Sequence, residues 1–556
     1  VKRAIPKLTL LCLLSLTASV QAAPATVAGT ISLPEPTLRH LSVVWPISGD
    51  DDQDGVVSVR FRPVGSGTWR DGMPLRRVPA GSNAGFSWGN AHRGTVFGLQ
   101  PGTDYDIELT LVDPDGGSTQ RLVSATTRAL PTAGNGVVRT ATPATLGSVL
   151  SAAQPGDIVE LGSGSYNGFS LNRNGSAGAP ITLRGTPGAV IDGELGLFSR
   201  RHIRLENLTV DGRIRFNGSS DISIVGCTVN ARGEFANYAI VSFTRSERAY
   251  IAGNTVTGAT VWRESSFGGS EGEGIVLTGP GHVIENNSVS NFRDGISFRE
   301  DNLAVDQYSL DVLNNTIDQV VDDAIEADFC EHNCRIIGNR ITNSFVAMSS
   351  QPSLGGPNYF IRNQAYSVAH LPFKLYRDSR GDVILHNTVV KHGDGFNVYT
   401  QAPIRHALVL NNLFLGGPGG SFNGFSSGTG RVVDLLTLNT GNSRLDYNGY
   451  GTTLAAFNGT IGNQSFASVS QMRARTSEVN GLRVGYDVFA SPVAFPASPT
   501  SVYGPVDFSL AEGAVAVDRG VVIPGINDDY QGSAPDLGAL EQESDRPALI
   551  FGDNFE

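Results

Sequence analysis

No stretch of the 556 residues is both long and apolar enough to cross a bilayer; the best candidate, Leu8 to Leu16, falls far short of the roughly 20 residues a spanning helix needs. No membrane span is expected. Basic charge is also in short supply, with 41 Lys and Arg against 53 Asp and Glu and a formal net charge of -12, which argues against nucleic acid as a partner. A negatively charged polymer could still bind, but only at a local basic patch or through a bound cation. Cysteine is scarce: Cys12 lies in the leader, Cys227 stands alone, and Cys330 and Cys334 bracket Glu331-His332-Asn333. The close pair predicts a small turn-closing disulfide; a metal site built from both thiols and His332 is the alternative, although no fourth ligand is evident. Charged residues make up only 17% while glycine numbers 67, and short β-branched runs abound, so strands and turns are expected over helices.

What is present starts with Val1-Lys2-Arg3, the apolar run, and the small-residue stretch Val20-Gln21-Ala22-Ala23. This predicts a secretory signal over residues 1–23 and an extracellular or periplasmic location. Short alternating strands follow over residues 24–130, including Val57 to Arg62 and Tyr105 to Leu111. Tyr105 stands just after the turn Pro101-Gly102, the arrangement of a tyrosine corner. With Trp45 on an early strand, the segment resembles a fibronectin type III domain, which implies a β-sandwich acting as a structural module. Asp50-Asp51-Asp52-Gln53-Asp54 fits a solvated acidic turn better than a calcium loop. Residues 131–136 have the composition of a linker.

From Val137 to Gly416 one pattern recurs. Ile251-Ala252-Gly253-Asn254 and Ile284-Glu285-Asn286-Asn287 are followed by coils ending in Asn315, Asn339, Asn363, Asn387 and Asn412, at steps of 24, 24, 24 and 25 residues from Asn315 onward. A period this short predicts a right-handed parallel β-helix over residues 137–416. The overall class is therefore all-β, a sandwich followed by a β-helix. The Asn row is expected to be scaffold, each amide bonding the next coil, with Cys227 buried in the same row. Residues 417–545 are expected to extend and cap the helix, Asn527 to Gln531 and Pro535 to Glu541 closing its open end, and residues 546–556 form a tail.

A β-helix interior is packed, so chemistry must sit on an outer face. Taking Ile275, Ile296, Ile325, Met348, Phe373 and Phe396 as inward, the outward row is Ser297, Glu326, Ser349, Lys374 and Asn397. The next row is Arg299, Asp328, Gln351, Tyr376 and Tyr399, and the preceding bends carry Asp294, Asp322, Asp323 and Asp394. Two coils separate Glu326 from Lys374, about 10 Å at the usual strand spacing, room for a sugar ring and a cation. Asp322, Asp323, Glu326 and Asp328, with Asp294, form a dense hard-oxygen set suited to calcium; a solvated acidic corner is the plain alternative. Between His370 and His406 basic residues concentrate, among them Lys374, Arg377, Arg380 and Lys391; Arg380 and Lys391 are equally explained as a solvated charged face.

At these positions the chain resembles the secreted β-helix polysaccharide lyases that act on pectate or alginate. Asp322, Asp323 and Glu326 are similar to that group's Asp-Asp-x-x-Asp calcium cluster, with Glu in the last place. The resemblance implies that calcium engages a uronate carboxylate while Lys374 takes the C5 proton, with Arg377 favouring the neutral amine. Tyr376 or His386 would protonate the leaving oxygen, and Tyr399, Asn397, Arg299 and Arg380 would contact an acidic polysaccharide. A monomer is expected. Two alternatives stay open: a β-helix glycoside hydrolase pairing Asp323 with Glu326 or Asp328, and a non-catalytic carbohydrate-binding adhesin.

Overall fold

The computed structural model describes residues 25–270 and 272–542; the expected leader with Cys12 and the tail of residues 546–556 lie outside them. The N-terminal part is a seven-stranded antiparallel sheet folded over one core. Its strands run in the order Val27–Ala28, Leu41–Ser48, Ala91–Val96, Arg70–Val78, Val56–Pro63, Asp104–Val112 and Thr119–Thr126. Arg70–Val78 pairs with both of its neighbours and carries the sheet from one layer to the other. Alternation in Asp104–Val112 sends Tyr105, Ile107, Leu109 and Leu111 inward against Trp45, Val59 and Phe61. The Tyr105 hydroxyl accepts the Gln100 N–H at 2.9 Å and so ties down the corner.

The remainder winds as a parallel β-helix with two long sheets of 13 and 16 strands. Ile224, Ile251, Ile284, Val312, Ile336, Phe360 and Ile384 pair in register along the first sheet. Their side chains build the core, because residues of equal phase in successive coils face the same way. The Asn row forms a continuous ladder. Each side-chain amide from Asn254 to Asn412 donates to the Oδ1 of the next at 2.8 to 3.0 Å and to a backbone carbonyl of an earlier coil. Cys227, buried as its place in the row requires, starts the ladder by giving its N–H to Asn254 Oδ1 at 2.8 Å.

Past Gly416 the two sheets continue through Arg444–Asp446, Gly449–Thr452 and Leu482–Arg483. The ladder reaches Asn448, whose amide donates to Glu478 Oε1 at 2.6 Å. The helix ends are closed by short α-helices: Leu146 and Leu150 of Leu146–Ala152 at one end, Met472 of Val469–Arg475 at the other, enter the core. The segments expected to cap the open end instead run back along the flank. Gly538 N–H donates to Asn411 O at 2.7 Å, and Leu537 packs on Tyr366, Val390 and Leu413.

The N-terminal sandwich is seated on the first parallel sheet. Met73 and Phe97 pack on Tyr359, Ile361 and Leu385, and Asp311 lies buried between His40, at 3.0 Å, and Arg335, at 2.5 Å. The hairpin Gly81–Asn83 with Phe86–Trp88 reaches further. Phe86 and Trp88 pack on Phe329, the residue after Asp328, and on Leu354.

Candidate functional site

The outward row is set by strand pairing: Ser297 pairs with Glu326, Glu326 with Ser349, and Ser349 with Lys374. Coils approach closely here, since a Cβ on Gly295 would lie 2.5 Å from the Ala324 carbonyl oxygen. That closeness brings Asp294 Oδ1 to the Asp323 N–H at 3.0 Å. A register shift between Val320 and Asp323 turns the Asp323 carboxylate toward the outward row. Lys374 meets it there in an ion pair across two coils, so the gap expected between Glu326 and Lys374 is bridged.

Two carboxylate groups meet at Glu326. Asp294, Asp323 and Glu326 place one oxygen each within 4.8 Å of one another, and so do Glu300, Glu326 and Asp328. Oxygens bound to one calcium at about 2.3–2.6 Å are confined to such separations. Asp294, Asp323, Glu326 and Asp328 are at most 4% exposed. Asp323 Oδ1 and Asp328 Oδ2 have no hydrogen-bond partner among the described residues, which leaves buried lone pairs open to a cation. The donor set thus fits calcium.

Burial, reinforced by neighbouring carboxylates, raises Asp294 and Glu326 well above the ordinary carboxylate range. Burial likewise takes Asp328 to about 8 and, with Asp323 beside it, Asp322 to about 7. Burial alone would lower Lys374, but Asp323, Asp322, Asp328 and Glu326 hold it well above the usual amine value. The expected help from Arg377 is absent: its guanidinium pairs with Asp301 Oδ1 at 2.8 Å and lies over Phe329.

Asp322 belongs to neither triad, and Asp294 takes the place the motif had given it. Asp328 is fixed by Ser349 Oγ at 2.6 Å and the Gln351 N–H at 2.7 Å. Tyr376 and Tyr399 line a cleft of about 500 Å³ next to Lys374, together with His370, Phe425 and Arg431. The Tyr399 hydroxyl donates to Asp394 Oδ2 at 2.7 Å, while Asp394 Oδ1 accepts three backbone N–H groups from Thr429 to Arg431. Asn397 is fully buried and lies in the wall behind this cleft.

Three expectations place residues elsewhere. His386 is buried on the opposite flank, where its ring meets Gly538 O, Asn411 and Asn527; it clasps the returning C-terminal segment and is not beside Lys374. Arg380 lies around the corner between the two domains, paired with Asp378 and over Trp88. Lys391, read as part of a solvated face, is buried, with Nζ donating to His392 O and Asp394 O at 2.6 and 2.7 Å. Arg299 stays at the site's edge, over Phe243. Cys330 and Cys334 form a disulfide in the loop after Asp328, and His332 stacks on Tyr308.

Sequence reasoning missed Glu300, Glu273 and Arg293. Arg293 bridges Asp294, at 2.5 Å, and Glu273, at 2.9 Å, and Ser297 Oγ donates to Glu273 Oε2 at 2.9 Å. Glu273 pairs in register with Asp294, which was the signal available for it; Arg293 and Glu300 lie just outside the strand Asp294–Phe298 and carried none. In the sandwich Asp50, Asp52 and Asp54 also converge, but Asp50 is already engaged by Arg77 and the Gly55 N–H.

No protein-family model matches the chain, and no curated protein matches its sequence. Among solved structures, it is similar to the pectate lyase Pel9A at 13% identity and a TM-score of 0.42, covering 74% of this chain and 98% of that one. It is similar to the PL6 family alginate lyase AlyGC at 14% identity and a TM-score of 0.38, covering 67% and 60%. A Yersinia enterocolitica family 28 exopolygalacturonase follows at 11% identity and a TM-score of 0.25, covering 76% and 91%.

Proposed function

We propose that this protein is a secreted polysaccharide lyase that cleaves a uronate-containing polymer by β-elimination at the Glu326 carboxylate centre. The observation that carries this is the joining of two carboxylate triads at Glu326, with open buried oxygens on Asp323 and Asp328, under Lys374 on an outer face of the β-helix. Asp294, Asp323 and Glu326 would hold a calcium ion, which would supply positive charge for the uronate carboxylate as the C5 anion develops.

Lys374 is the base of this reading. It carries its proton while Asp323 and its neighbours are uncompensated, and neutralising their charge is what frees Nζ to accept a proton from C5. Tyr376 stands two residues along and lines the cleft, and in this reading its hydroxyl would donate to the leaving oxygen. Asp328, locked by Ser349 and Gln351, shapes the floor beneath the sugar.

The hydrolase alternative would pair Asp323 with Glu326 or Asp328; the open buried oxygens on Asp323 and Asp328 and the convergence of three carboxylates at once favour a cation over an acid and base pair. The test is incubation with polygalacturonate, alginate and glycosaminoglycans, with calcium or a chelator. Calcium-dependent ultraviolet absorbance of unsaturated uronate is expected; new reducing ends without that absorbance would sink elimination.

A further inference from the structure

Strand pairing extends the outward row back from Ser297 through Val276 and Val241 to Arg215. Arg215 therefore stands on the same line as Glu326, four coils earlier, about 19 Å at ordinary strand spacing. Around it the surface changes character. The Arg215 guanidinium lies 5.2 Å from the Phe198 ring and 5.6 Å from Phe243, and Arg299 covers Phe243 at 5.2 Å. Phe198 is 38% exposed, and Phe243 and Arg299 are half-buried, so ring and guanidinium faces meet solvent side by side.

Charge there is not internally balanced. Among the described residues Glu194 is the one carboxylate paired with the patch; it is held by Arg213 and stands 3.9 Å from Arg215. Arg299 makes no ion pair among the described residues, and the Nε atoms of both Arg215 and Arg299 are buried with no hydrogen-bond partner. In a chain of net charge -12 such a cationic strip is a local exception. Arg299 sits one coil before Asp328 yet leans away from the carboxylates, toward the earlier coils.

We infer that Arg215, Phe243 and Arg299 form a track that binds the anionic stretch of a polyuronate on the N-terminal side of the carboxylate centre. Planar guanidinium groups match carboxylates in a two-bond fork, and the ring faces cover the apolar faces of sugar rings. Beyond Lys374 the lining is mixed, with Tyr376, Tyr399, His370, Asp394 and Asp434, and its one guanidinium, Arg431, is paired with Asp434 at 3.1 Å, so the cations without a close carboxylate lie on the N-terminal side. This inference rests on the uronate substrate of the proposed function, but not on its chemistry.

The experiment measures binding of polygalacturonate and, separately, alginate to the full chain carrying Lys374→Ala, so that turnover does not intrude. Adding Arg215→Ala and Arg299→Ala is expected to weaken binding at least tenfold and to flatten its salt dependence, while Arg121→Ala on the sandwich changes neither. The single change Arg299→Gln keeps the stem over Phe243 and should cost about fivefold, which keeps the inference testable if the double variant does not fold. The tighter of the two polymers identifies the uronate. Unchanged affinity in these variants, or no binding of either polymer by the parent, overturns the track. Binding through these arginines without any elimination by the wild type would remove the lyase assignment and leave the track standing.

Discussion

At the level of single residues the decisive contact is between Lys374 and Asp323. Replacing Lys374 by Ala should lower elimination about 10²–10⁴-fold, the usual worth of a positioned base, with far-ultraviolet circular dichroism unchanged; retained turnover would remove Lys374 from the mechanism. The carboxylates make a second prediction. Asp294, Glu326 and Asp328 bind protons more tightly folded than unfolded, so their contribution to stability is present at acid pH and is lost as pH rises toward the value of about 8 reached by Asp328. Melting temperature in a chelator should therefore fall from pH 5 to pH 8, and calcium should raise it more at pH 8 than at pH 5; a flat profile with no calcium effect would contradict the site. The outward row was legible because period-two alternation fixes which neighbours of Ile325, Met348 and Phe373 point out. Asp294 was among the expected ligands, but that Asp322 stands outside both triads was not legible, because a bulge before Asp323 rotates the strand, and a bulge leaves no periodic mark. His386 and Arg380 were misplaced for another reason: one corner of a coil carries the chain to a different face, so closeness in sequence to Lys374 is not closeness in space.

Among the elements, the Asn ladder and its terminus matter most. Its spacing made the β-helix visible in the sequence, but the coils after Gly416 were obscured by inserted loops, and Asn448 comes 36 residues after Asn412. Glu478 was invisible as a partner because it sits on a loop with no repeat. Its carboxylate accepts from Asn448 at 2.6 Å and from the Tyr450 hydroxyl at 2.6 Å. Glu478→Ala would leave the Tyr450 hydroxyl buried without its partner while the Asn448 amide keeps Val409 O and Asp446 O, so a loss of about 1–3 kcal/mol is expected in chemical denaturation. Glu478→Gln, which keeps an acceptor, should recover most of it. The flanking segment around Leu537 shows the limit of motif reasoning, since a pattern rich in Gly, Asp and Pro marks turns and does not say which surface they cover.

For the whole molecule, the sandwich is a fixed part of the site's architecture. Burial alone would raise Asp311, but Arg335 and His40 hold it well below the ordinary carboxylate range. Its contribution is therefore full above the ordinary Asp value and is lost as pH falls below it. Asp311→Ala, which strands Arg335 in the interface, should destabilise the protein by about 3–5 kcal/mol by denaturant melts. An effect under about 1 kcal/mol would mean that the interface relaxes to admit water. The ladder has a last consequence at this scale. Every rung-to-rung bond in it is donated toward the C-terminus, from Cys227 at its head to Glu478 at its tail, while each amide's other hydrogen goes back to a carbonyl of an earlier coil. Such a chain repeats one bond from rung to rung but can end only where an acceptor waits, and Glu478 is that acceptor.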